Sequence, residues 1–177
     1  MAWQVARERG VAQLTLREIA QRVGMRAPSL YTHFESKNAI YDAMFAESWD
    51  ACLTVMAAAA ARLPASPRAA MKTMARAFFN FAARDFPRFQ LMNQRTITGF
   101  EPSAASYAPA VATLEVLQAA LAAHDVTGQA DIDLFVAVVG GLIDAQLASD
   151  PGGDRWSRLL DRAIDMIADN LGIQPSP

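Results

Sequence analysis

The chain has 177 residues, 53% of them hydrophobic and 19% charged, which suits one domain or two small cooperating ones around a sizeable core. A formal net charge of −2 excludes a protein that coats nucleic acid along its whole length, and the single cysteine, Cys52, excludes an internal disulfide. Alanine runs and scarce strand formers point to an all-α chain; with no apolar run expected to reach the ~18 residues that span a bilayer, and no charged-then-apolar leader at the start, the expected setting is the cytoplasm, with no membrane partner.

Met1 to Arg9 reads as a first helix, with Ala2, Trp3, Val5 and Ala6 as its apolar residues and Gly10 as its end. Leu16, Ile19, Ala20 and Val23 then recur at i, i+3, i+4 and i+7, one face of a second helix. Thr15 precedes this run and Glu18 follows three residues later, the arrangement of a capping box. Gly24 stops the helix, because glycine enters the left-handed region without strain. Pro28 sits in the first turn of another short helix, where its missing N–H costs little. Ala27, Leu30 and Phe34 share the inner face of that helix; Pro28, Ser29, Thr32 and His33 point outward, with Tyr31 on the border. Ser36 caps a further helix that starts at Lys37. Two short helices joined by a tight glycine turn, the second carrying small polar outward residues, describe a helix-turn-helix. Charge agrees: up to Lys37 the cations are Arg7, Arg9, Arg17, Arg22, Arg26 and Lys37, against only Glu8, Glu18 and Glu35.

This stretch resembles the DNA-binding head of the tetracycline-repressor (TetR) family, in which LT-x-x-x-IA-x-x-x-G leads into a short helix ending L-Y-x-H-F-x-S-K. The matching residues are Leu14, Thr15, Ile19, Ala20, Gly24, Leu30, Tyr31, His33, Phe34, Ser36 and Lys37. The resemblance implies that Thr15, Tyr31, His33 and Lys37 contact DNA phosphates. The chemistry suits them: helix N-termini attract anions, and phenol, imidazole and ammonium groups donate to phosphate oxygens. Arg17 and Arg26 add charge. Ala27, Pro28, Ser29 and Thr32 are expected at base edges, through thymine methyl contacts and hydroxyl hydrogen bonds. Two features depart from the family pattern. Its first helix usually begins several residues earlier, and it usually has Ser or Thr where Arg26 stands.

Beyond the head, Asn38 to Leu63 continues as one or two helices, and its alanine-rich end lets neighbours approach closely. Ser66 and Pro67 open a helix over Arg68 to Asp85. Phe86-Pro87 interrupts it, and Arg88 to Arg95 resumes. A long polar connection follows, then helices over Pro109 to His124, Asp131 to Ala148 and Arg155 to Leu171. The segment Phe135 to Ile143 is apolar on every side, and Gly140-Gly141 within it is expected to allow close approach of a neighbour.

The expected fold is therefore all-α: a three-helix helix-turn-helix head over residues 1–46 and a helical ligand-binding and dimerisation bundle over 47–177. The last two helices carry more apolar surface than one small body needs, so Phe135, Val139, Leu142, Ile143, Trp156, Leu160, Ile164 and Ile167 are expected between two copies, as the family resemblance also implies. Aromatic residues and methionines gather in the middle of the body beside a helix break and a loose loop. An effector cavity is expected there, lined by Met74, Phe78, Phe81, Phe86, Phe89, Met92, Asn93, Ile97, Phe100, Tyr107 and an inward-facing Asp144. The partners are thus a pseudo-palindromic double-stranded DNA operator, a second copy and a small, mainly apolar effector that releases a repressor from DNA. No metal-ligand spacing, nucleophile arrangement or phosphate loop suggests an enzyme or a cofactor. The competing class is a helical interaction protein whose head does not bind DNA.

Overall fold

The computed structural model describes residues 1–26, 29 and 33–174. Among these, the chain is all-helical, without a strand. Its helices are α1 (Ala2–Arg9), α2 (Leu16–Arg22), α3 (Lys37–Ala60), α4 (Pro67–Ala82), α5 (Phe86–Asn93), α6 (Ala104–Ala122), α7 (Gln129–Ser149) and α8 (Leu160–Asn170). Short 3-10 turns at Val11–Gln13 and Ser157–Leu159 lead into α2 and α8. The fold separates into two compact units: Met1–Ala51 with Asp85–Ala110, and Cys52–Arg84 with the chain from Val111 onward.

The first unit is built on the helix-turn-helix pattern. Val5, Ala6, Val11, Leu14, Ile19, Ala20, Ile40, Tyr41, Met44 and Phe45 close one core, joined by Trp3 and by Leu91 of α5. Each large aliphatic side chain buried there contributes about 1.5–3 kcal/mol against exposure. Only half of the expected capping box forms. Thr15 Oγ1 accepts from the Glu18 N–H at 3.2 Å, but the Glu18 carboxylate turns to Arg9 and Arg22 at 3.5 and 3.7 Å. Gly24, at φ +70°, ends α2 in a Schellman arrangement: its N–H donates to Gln21 and that of Met25 to Ala20, at 3.2 and 2.9 Å. Ser36 caps α3 as expected, accepting from the Ala39 N–H at 3.1 Å.

Two helix starts differ from the sequence reading. The expected break falls at residues 83–85, and Phe86-Pro87 is the first turn of α5, because the Asp85 carboxylate caps it by accepting from the Arg88 N–H at 3.4 Å. α6 begins at Ala104 rather than Pro109, and Pro109 lies inside it. Its first turn is held from α3. Asp42 accepts from the Ser103 N–H, the Ser103 hydroxyl and the Ser106 hydroxyl, each at 2.8 Å.

In the second unit α4 packs on α7 and α8. Met71, Met74, Ala75, Phe79, Ile132, Phe135, Val139, Ile143, Ile164 and Ile167 are buried. A ladder of charges runs beside this core. Arg68, Lys72 and Arg76, one turn apart on α4, meet Asp169, Asp165 and Asp161, one turn apart on α8 and in the reverse order. Arg68 also donates to the Ile173 carbonyl from Nε at 3.1 Å, which ties down the end of α8. Buried Gln146 accepts from the N–H groups of Trp156 and Ser157 at 3.0 and 3.2 Å and so shapes the turn between α7 and α8.

α7 corrects two expectations. By length and composition it is apolar enough to cross a membrane, with a mean hydropathy of 1.6 over an 18-residue window. Its buried side packs in the second unit, whereas Leu134 and Val136 stand 43% and 44% exposed. Gly140 and Gly141 have no described neighbour within 4 Å of where a Cβ would lie, so they accommodate none of the described helices.

Candidate nucleic-acid interface

The head sorts its cations into two groups. Arg22 is paired bidentately with Glu8, with one contact at 2.8 Å, and Arg7 reaches Asp85 at 2.6 Å. Arg9 lies against Glu18, and Arg88 lies against Glu47 at 3.6 Å with its guanidinium over the Trp3 ring. Arg17 and Arg26 are exposed and form no ion pair with a described residue. Lys37 likewise has no carboxylate partner among the described residues. Its ammonium donates to the Ala12 carbonyl at 3.1 Å and lies 5.3 Å from the centre of the Tyr41 ring. The head cations without a carboxylate partner among the described residues are thus Arg17, Arg26 and Lys37, all three among the residues expected to contact DNA.

Of the other expected contact residues, Thr15 stands exposed at the N-terminus of α2, and Ser29 and His33 are exposed. The Ser29 N–H donates to the Arg26 carbonyl at 2.9 Å. Ala27, Pro28, Tyr31 and Thr32 lie outside the described residues, as does Leu30 of the inner face.

The same unit holds a cavity of about 390 Å³. Met92, Asn93, Ile97, Phe100 and Tyr107 line it as expected, together with Phe45, Leu91, Gln94, Arg95, Glu101 and Pro102. The other expected lining residues lie elsewhere. Phe89 is buried in the packing of α5, and Phe86 is 44% exposed. Met74, Phe78, Phe81 and Asp144 belong to the second unit, where Met74 is core and Asp144 faces outward rather than inward. A helix that is apolar on all sides gives no sequence signal for which way its one acid points.

Sequence reasoning missed the residues that fix the cavity wall. Asn38 Nδ2 donates to the Gly99 carbonyl at 2.9 Å, and Asp42, one turn further along α3, holds Ser103 and Ser106. The loop between α5 and α6 is therefore strapped to the first two turns of α3. Tyr41, between the two straps, packs its ring 5.5 Å from that of Phe100, and its hydroxyl donates to the Val11 carbonyl at 2.8 Å. Burial pushes the Tyr41 phenol up to about 12, so it stays a donor. Phe45 packs at 6.4 Å from Phe100 and 6.0 Å from Tyr107. The i, i+4 spacing of Asn38 and Asp42 was visible in the sequence, but their partners lie some sixty residues away and leave no local trace.

The residues expected between two copies separate sharply. Phe135, Val139, Ile143, Leu160, Ile164 and Ile167 are at most 5% exposed within this one chain. They fill its own core and have no surface to offer a second copy. Leu142 and Trp156 are half-buried, and Leu134, Val136, Leu159 and Met166 are the large apolar side chains that α7, α8 and the turn between them leave exposed.

Among the described residues, the N-terminal unit thus combines α2 with its glycine turn, three cations outside ion pairs and the long helix α3. Residues 1–44 match the model of the bacterial regulatory proteins of the tetR family. Over these residues the head matches that family, which supports a DNA-binding transcriptional regulator. No curated protein matches the chain. Solved structures share its fold along nearly the whole chain. SCO4313, described as a regulatory protein, has a TM-score of 0.78 at 20% identity, covering 95% of this chain and 91% of its own. A protein of unknown function from Rhodococcus sp. RHA1 has a TM-score of 0.78 at 19% identity, covering 96% and 90%. The TetR family transcriptional regulator PfmR from Thermus thermophilus has a TM-score of 0.68 at 21% identity, covering 94% and 93%.

Proposed function

We propose that the chain is a cytoplasmic, homodimeric repressor that a small molecule releases from a pseudo-palindromic operator. The observation that carries the DNA reading is the sorting of charges in the head. Cations paired to carboxylates contribute little to an incoming phosphate, because their charge is already compensated. Arg17, Arg26 and Lys37 are not so compensated among the described residues, and each releases counterions when it meets a phosphate. In this reading Thr15, Tyr31 and His33 donate to the backbone as well, while Ala27, Pro28, Ser29 and Thr32 read base edges. Residues 1–46 act as the DNA-reading part and the chain beyond as the part that dimerises and senses.

A helix-turn-helix reads one half-site, and a two-fold pair of heads reads two about 34 Å apart. The second copy is proposed to dock on the exposed apolar residues Leu134, Val136, Leu159 and Met166 and the half-buried Leu142, not on the buried set. An effector that prefers the form unable to span both half-sites lowers operator affinity, by roughly 5–150-fold for a coupling of about 1–3 kcal/mol.

The test is fluorescence anisotropy with duplex DNA from upstream of the chain's own gene, titrated at several salt concentrations. Lys37→Ala, Arg17→Ala and Arg26→Ser are each expected to weaken binding and to lower the slope of log affinity against log salt by about 0.9 for each phosphate no longer neutralised. Unchanged affinity and slope in all three variants would remove the DNA-contact reading.

A further inference from the structure

We propose that the loop between α5 and α6 makes a second DNA contact, in which Arg95 neutralises a backbone phosphate beside the one that meets Lys37, with Thr96 and Thr98 as added donors. This rests on the DNA reading above and extends the interface beyond the helix-turn-helix motif. Position carries the first part. Lys37 is the first residue of α3, and Asn38 follows it, about 3.8 Å away along the chain. Asn38 Nδ2 donates to the Gly99 carbonyl at 2.9 Å, so the loop lies within one side chain's reach of the helix end that carries Lys37. Asn38, Arg95 and Thr98 line one open recess there. All of these residues belong to the first unit.

The loop is a fixed platform. Ile97 and Phe100 pack against the core of the head, while Arg95, Thr96 and Thr98 stand exposed. Asp42 holds its far end through the Ser103 N–H. A side chain presented from an ordered backbone has less freedom left to lose on binding. The chemistry suits a phosphate. Arg95 forms no ion pair with a described residue, and Glu101, in the same recess, does not pair with it. An uncompensated guanidinium offers a phosphate two parallel N–H donors and releases its counterions on contact. Threonine hydroxyls are common donors to the same oxygens. Such contacts carry no base information, so the loop adds affinity for any duplex and leaves the choice of sequence to the motif.

The experiment is fluorescence anisotropy of the full chain over a salt series on two duplexes, one from upstream of its own gene and one of scrambled sequence. Arg95→Ala is expected to weaken binding to both, and to lower the slope of log affinity against log salt by about 0.9 for each phosphate no longer neutralised. Arg62→Ala makes the same change in net charge at an exposed residue of the second unit, and is expected to leave affinity and slope as they are. Asn38→Ala is expected to cost affinity in the wild type and little in an Arg95→Ala background, because it acts through the loop. Lys37→Ala reports the motif's own contact on the same duplexes. Weaker binding in Lys37→Ala with an unchanged slope in Arg95→Ala overturns the loop contact and leaves the DNA reading standing. A wild type that binds neither duplex overturns both. A loss in Arg62→Ala equal to that in Arg95→Ala overturns the loop contact too, since bulk charge then accounts for it. An Asn38→Ala cost that is the same in both backgrounds overturns the positioning by Asn38.

Discussion

The hydroxyl of Tyr41 donates to the carbonyl of Val11 at 2.8 Å, joining the second turn of α3 to the 3-10 turn that leads into α2. Tyr41 is fully buried, so this bond is made in the core and not at the surface. Tyr41→Phe keeps the ring against Phe100 and removes only the donor. A loss of about 1 kcal/mol is expected, the usual net worth of one internal hydrogen bond. Urea unfolding of the two proteins measures it. A variant as stable as the wild type would show that the bond contributes nothing to the fold.

Gly24 tests the turn that ends α2. Its φ of +70° costs an L side chain strain even though a Cβ there meets nothing within 4 Å. Gly24→Ala should therefore destabilise by about 1 kcal/mol or more through backbone conformation alone. Thr15→Ala should cost about 1 kcal/mol by removing the cap of α2. The two sites act on opposite ends of one helix, and thermal unfolding of the single and double variants shows whether the costs add.

Asp42 gives the first unit a pH dependence. Burial raises its carboxyl, but the Ser103 N–H and the hydroxyls of Ser103 and Ser106 outweigh that and hold it below the ordinary carboxylate range. With the folded value below the unfolded value of about 3.9, the stabilisation is complete above that unfolded value and fades as pH falls through the folded one. Asp42→Asn should cost about 1 kcal/mol at neutral pH, as for removal of a helix cap. It should also flatten the fall of stability below about pH 4. Urea midpoints of both proteins across the acid range decide this; parallel curves would mean that Asp42 does not carry the dependence.

The two sides of α7 and α8 should respond oppositely. Ile164→Ala, at a position with no exposure, should cost about 2–5 kcal/mol, like other buried aliphatic truncations. Leu134→Asp with Met166→Asp lies on the uncovered side and should leave the fold of each chain intact while splitting the dimer proposed above. Sedimentation velocity, paired with circular dichroism, reads both. A dimer that persists in the double variant would place the contact elsewhere.

The local signals in the sequence translated well into structure. Thr15, Gly24 and Ser36 each act through the nearest few residues, and each caps or ends the helix it was assigned. α7 also falls within two residues of its expected bounds. What the sequence hid was tertiary. The start of α6 depends on a carboxylate sixty-one residues earlier, which overrides the boundary that Pro109 suggests. The uncovered side of α7 was misjudged because an all-round apolar helix has no preferred face to read. The charge ladder was legible in retrospect: Arg68, Lys72 and Arg76 repeat every fourth residue, and so do Asp161, Asp165 and Asp169.

That four-residue repeat on both partners makes the seating of α8 behave like a detent. Sliding it along α4 by two residues strands the cations between acids, while a slide of four residues, about 6 Å, re-engages two of the three pairs. The ladder therefore favours this one axial register of α8, in which all three pairs form, over its neighbours.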